Sequence, residues 1–162
     1  MKKLIYLSVI CAIMAACGGG GSEPEKNPYA MEGGTPEAQA AANANPSYDP
    51  ERGEGKFTKV DVAPTLDEKM AASGQKVYEV KCNSCHKLTG EKLVGPGWKD
   101  VTQRYKAEWI MNFVTNPDVM LDKDPKAQAQ LELCLVRMPN QNVADEEARA
   151  LYEFMRKNDG VK

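Results

Sequence analysis

The sequence predicts an all-α domain over residues 65–162, entered through a long segment without regular structure. Two observations carry this. Apolar residues recur at three- and four-residue spacing in several separate stretches of the second half, the mark of one-sided helices. Acids, prolines and glycines bound those stretches, as they bound helices. No stretch alternates apolar and polar residues as a strand does, and no internal repeat appears. About four to five helices are expected.

Residues 1–16 read as an export signal. Lys2 and Lys3 form a basic start, and Leu4–Ala16 is a 13-residue apolar run, too short to span a bilayer. The run ends Met14-Ala15-Ala16-Cys17-Gly18, which resembles a bacterial lipobox with Cys17 as the lipidated first residue of the mature chain. Plain cleavage after a small-x-small site, with Cys17 incidental, is the alternative. The glycine run Gly18–Gly21 that follows favours the lipoprotein. Residues 17–64 are dominated by Gly, Pro, Ala, Asn and Glu. Such a segment cannot bury enough apolar surface to offset its ordering entropy. It is expected to be a lipidated, disordered linker with a reach of roughly 35–40 Å. The expected location is the periplasmic face of a bacterial membrane.

The first helix is expected to start at Thr65, whose hydroxyl and Glu68 form a capping box. Met70, Gly74, Val77 and Tyr78 mark its inner face. Leu93–Trp98 is a loop by its Gly and Pro content, and Val101–Tyr105 a short helix. Trp109, Ile110, Phe113 and Val114 line a further helix that stops before Asn116-Pro117. Pro125 suits the first position of the next, which runs through Ala127, Leu131 and Cys134. The chain turns at Met138-Pro139-Asn140. A last helix starts near Ala144, with Asp145, Glu146 and Glu147 in the first turn, where the helix dipole favours acids. Ala148, Leu151, Tyr152 and Met155 form its apolar face.

Between the first helix and the loop lies Cys82-Asn83-Ser84-Cys85-His86, the C-x-x-C-H spacing of covalent haem attachment. Each thiol can bind one porphyrin vinyl group, and the adjacent histidine then lies under the iron. A thioredoxin-like redox pair would need a preceding strand, and none is predicted. A structural zinc site needs four ligands. His86 is the only histidine, and Cys134 the only other cysteine beyond residue 17. The single histidine also excludes bis-histidine ligation within one chain. A methionine, a lysine or an open site remains, and Met138 is favoured as sixth ligand, because it lies in a turn stiffened by Pro139. Met111 and Met155 read as core residues, and Met120, after Asn116-Pro117-Asp118, is the alternative. Cys134 reads as a small buried hydrophobe, with a regulatory thiol or disulfide dimer as the minority reading.

The chain over residues 65–162 resembles a class I c-type cytochrome. The likeness rests on Gly74 and an aromatic ahead of Cys82–His86, then Val94-Gly95-Pro96, Arg137-Met138-Pro139, and the terminal Ala150–Met155. It implies a small cytochrome c fold around one covalent haem c, held by Cys82 and Cys85 with His86 and Met138 as axial ligands. It further implies that Gly74 meets an aromatic of the last helix, Tyr152, and that the Pro96 carbonyl accepts the proximal imidazole N–H. The chain departs from the family pattern in its long Leu121–Leu135 stretch and in Ala144 at a capping position.

A net charge of −2 gives no global signal for nucleic acid. Residues 76–106 carry a net +4 and residues 107–162 a net −3, so the segment around the haem motif is the basic one. With both axial positions closed the iron has no place for substrate. The expectation is a monomeric, membrane-tethered electron carrier and not an enzyme. Its expected donor is a quinol-oxidising complex, and its acceptor a terminal oxidase or nitrogen-oxide reductase. A haem peroxidase or small-gas sensor with a labile sixth ligand is the alternative.

Overall fold

The structure is a computed structural model that describes residues 48–162. The export segment, Cys17 and the linker up to residue 47 lie outside the described residues. Six helices follow in order: α1 (Glu68–Lys81), α2 (Val101–Arg104), α3 (Ala107–Thr115), α4 (Pro117–Lys123), α5 (Pro125–Cys134) and α6 (Asp145–Asn158). No strand occurs among the described residues, only an isolated bridge between His86 and Lys92. None of these helices is long and apolar enough to cross a membrane.

The frame is the pairing of α1 with α6, the most extensive contact between helices. It depends on Gly74. A Cβ there would run into the Ala150 carbonyl and the Leu151 nitrogen of α6, so only glycine lets the two backbones meet. Gly74 therefore faces backbone, not the Tyr152 ring that the family likeness implied. The aromatic contact lies one turn on, where Tyr78 and Phe154 have ring centroids 5.4 Å apart.

Helix ends also differ from expectation. α1 is capped by Asp67, whose carboxylate accepts from the Met70 N–H at 2.9 Å, and not by Thr65. A carboxylate at this position satisfies a free amide and suits the dipole. At α6, Ala144 has no side-chain oxygen to cap with, but Glu147 reaches back to its N–H at 2.9 Å. Helix α4 was not expected. Asn116-Pro117 ends α3 and also starts α4, because proline fits the first position of a helix.

The linker was expected to extend to residue 64. Residues 48–64 instead form a strap laid across α3, α4, α5 and α6. Tyr48 donates its hydroxyl to buried Asp124 at 2.6 Å. Asn112, 1 % exposed, accepts from the Phe57 N–H at 2.9 Å and donates to the carbonyls of Arg52 and Phe57. Glu108 accepts from the Val60 N–H at 2.7 Å. Arg156 donates to the carbonyls of Ala63 and Pro64, and pairs at 2.7 Å with Glu153, 1 % exposed. The strap is held by buried polar side chains that satisfy its backbone and by Phe57, Val60 and Val62, which pack against the core.

Candidate functional site

Helix α1 ends directly in the cysteine turn. The N–H groups of Cys82 and Asn83 both reach the Tyr78 carbonyl, and those of Cys85 and His86 close on the Cys82 carbonyl at 3.0 and 2.9 Å. This tight winding brings Cys82, Cys85 and His86 to one side of the helix end. The Tyr78 hydroxyl donates to the His86 carbonyl at 2.8 Å and fixes the last residue of the motif. Burial pushes the Cys82 thiol up to about 11. Zinc ligation requires thiolate, which this burial opposes. Among the described residues no group of three metal-binding side chains comes together.

His86 Nδ1 lies 2.9 Å from the Pro96 carbonyl oxygen. A carbonyl only accepts, so Nδ1 carries the proton and a neutral ring keeps its lone pair on Nε2. Burial lowers the imidazole pKa, and the bond to Pro96 opposes that only in part, so the ring is held neutral. The loop that brings Pro96 here passes very close. A Cβ at Gly95 would overlap the His86 ring, so glycine is required by approach. Gly95 and Val94 both donate to the Cys85 carbonyl, at 2.9 and 3.2 Å. The Trp98 ring packs beside the imidazole, tilted, with centroids 5.4 Å apart.

Three adjoining cavities among the described residues are bordered by both His86 and Met138. One, of about 500 Å³ counting its open mouth, is walled by Cys85, Val94, Phe113, Leu121, Leu131 and Cys134. A second runs beneath Trp98, Trp109 and Met155, and a third reaches Cys82 and Leu151. Met155 borders only the second of these, from within α6. Met111 and Met120 border none of the three and are 3 % and 0 % exposed. Met120 lies under the strap, where its sulfur accepts from the Glu54 N–H at 3.2 Å.

These walls fit a large, flat, mostly apolar group that also carries acid. The acid is indicated by Arg104, whose Nη2 donates to the Gly97 and Lys99 carbonyls while its buried Nε has no partner. Arg104 borders the second cavity, as does Gln130, which donates to the Tyr105 hydroxyl at 2.9 Å. A buried N–H without an acceptor is costly, and the carboxylate of a porphyrin could supply that acceptor. Arg104, Gln130 and Trp98 carry no spacing that marks them in the sequence. Cys134, half-buried at the mouth of the first cavity, has its thiol pKa raised by burial.

A family model described as cytochrome c matches residues 71–159. The solved cytochrome c from Rhodothermus marinus is 28% identical, with a TM-score of 0.63, and the match covers 77% of this chain and 97% of that one. An engineered cytochrome c from Rhodothermus marinus is also 28% identical, with a TM-score of 0.65 over 68% of this chain and 98% of that one. The same engineered protein bound to a carbene intermediate is 29% identical, with a TM-score of 0.63 over the same shares, 68% and 98%. No curated protein matches the chain.

Proposed function

The chain belongs to the cytochrome c family, and from that membership we propose a membrane-tethered electron carrier whose axial ligands are His86 and Met138. The family carries one covalently attached haem c and serves as an electron carrier. When bound, that haem supplies a one-electron iron couple. Cys82 and Cys85 hold the macrocycle by thioether bonds. His86 offers Nε2, because Pro96 takes the proton side of the ring, and this hydrogen bond raises the basicity of the ligand. The observation that carries the reading is that Met138, alone among the described methionines, shares with His86 all three of the cavities described above. Histidine with methionine closes the iron and raises its potential. That favours a carrier over a peroxidase or small-gas sensor, which needs an open sixth position.

Two kinds of surface meet at the cavity mouth. Val94 and Val136, which border it, are 38 % and 52 % exposed, and Leu93, Leu133 and Leu135 are exposed beside them in sequence. Exposed apolar groups gathered at one place mark a contact surface. Lys92 lies on the same face, tied to the Leu133 carbonyl at 3.0 Å. The reading that follows is a redox partner seated on this face, a quinol-oxidising complex as donor or a terminal oxidase or nitrogen-oxide reductase as acceptor. The lipobox supports a Cys17 anchor on the periplasmic face.

Acid–acetone extraction of chain matured in an export-competent host tests the attachment. Haem should stay with the protein, and complete extraction would refute the thioether assignment. Cys17→Ser should move the chain from the membrane to the soluble fraction with its haem intact.

A further inference from the structure

Residues 136–143, which carry Met138, make no backbone–backbone hydrogen bond with any described residue. This loop is entered through Leu135, a non-glycine residue at φ +59°, and is left through buried Val143. It is therefore held by side chains. Lys81 donates to the Asn142 carbonyl at 3.2 Å near the exit. At the entry there is a forked contact from Arg137, the residue before Met138. Its Nη2 donates to Asp122 at 2.7 Å and to the Asp118 carbonyl at 3.2 Å, and its Nε donates to the Asp118 carboxylate at 3.3 Å.

Asp118 and Asp122 lie one turn apart on α4, so one planar guanidinium spans both. Helix α4 is itself well seated. Its Met120 and Leu121 are 0 % and 4 % exposed, Gly53 of the strap packs on Met120, and Leu121 borders the cavity that Met138 borders. A rigid helix on one side of the loop and a free backbone on the other make Arg137 the link between them.

We propose that Arg137 is a positioning residue that holds Met138 against the iron by clamping the loop entry to α4 through Asp118 and Asp122. The proposal rests on the reading of Met138 as sixth ligand. Exposed ion pairs are individually weak, so the expected effect is a change in how often the sulfur leaves the iron, not loss of the fold. A thioether–iron bond is itself weak, so a small loss of restraint reads out directly as access to the sixth position.

The test uses the full export-matured chain in its oxidised form. Two readouts are followed, cyanide binding and the long-wavelength sulfur-to-iron charge-transfer band. Arg137→Ala should bind cyanide about fivefold more readily and lose part of the band. Arg137→Lys, which keeps charge but not the fork, should fall between. The double variant Asp118→Asn/Asp122→Asn, which keeps the Asp118 carbonyl and leaves neutral amide acceptors, should move both readouts in the same direction by less than Arg137→Ala does, and combining all three should add nothing to Arg137→Ala. Lys157→Ala, which breaks the 2.7 Å pair with Glu68 elsewhere on the surface, should leave both readouts unchanged. If Arg137→Ala behaves as wild type while Met138→Ala opens the iron, the clamp is wrong and the ligand assignment stands. If Met138→Ala itself behaves as wild type, the ligand assignment falls, and the clamp with it. If Arg137→Ala opens the iron and the aspartate variants do not, Arg137 acts by another route and the proposal is overturned.

Discussion

At the scale of residues, the methionines are separated by burial and by the company they keep. Met120 and Met138 were both open from the sequence, since each follows a proline-containing turn or precedes one. Met120 is fully enclosed, with its sulfur engaged by the strap, whereas Met138 faces the cavities of His86. Met120→Ala should therefore act on stability, by about 2–5 kcal/mol for a buried methionine lost from a core, and leave cyanide access unchanged. Thermal unfolding and cyanide titration of the same variant separate the two effects. The attachment motif was legible because it is local: two thiols and an imidazole within one turn need no tertiary information. Pro96 was legible only through the family likeness. Arg104 was not legible at all, because its partners are the carbonyls of Gly97 and Lys99 and a cavity wall that exists only in the fold.

At the scale of elements, the strap is the main departure. Its composition, rich in Gly, Pro and charge, is that of a linker. What orders it are contacts from residues 48 to 93 positions away, such as Glu108 to Val60 and Arg156 to Ala63. No local pattern records such pairs. Helix α4 escaped for a related reason. Seven residues, beginning with Pro117 itself, give too short a window for periodicity, and what holds them is the strap above and the core below. Helices α1, α3 and α6 were legible because each shows one apolar face, and α5 because Pro125 opens it at a position proline suits. Asn112→Ala should release the strap. It leaves the Phe57 N–H and two carbonyls without partners, at a cost of about 1–3 kcal/mol for an unsatisfied buried group. Limited proteolysis should then cut between residues 48 and 64 faster than in wild type, with the haem retained. Cleavage at the wild-type rate would mean that the strap is held mainly elsewhere.

At the scale of the whole molecule, charge and apolar surface are unevenly shared. The stretch around the haem motif is basic, and the exposed side chains at the cavity mouth are apolar. Part of that basic charge is already paired, as in Lys87 with Glu91 at 2.7 Å. Steering by the remainder should be screened by salt over a Debye length of about 8 Å at physiological strength. Electron transfer to an acceptor with an acidic face should slow as salt rises, and Lys92→Glu should slow it further at constant potential. A rate that is flat or rising with salt would assign docking to the apolar rim alone.

The central claim is that the chain carries one electron on a haem closed by His86 and Met138. Spectroelectrochemical titration of the export-matured chain beside Met138→Ala tests it most directly. The wild type should give a single reversible one-electron wave, with the sulfur-to-iron band present when oxidised. Met138→Ala should lose that band and shift the wave to lower potential. A wild type without a reversible wave, or a band and potential that survive Met138→Ala unchanged, would contradict the account.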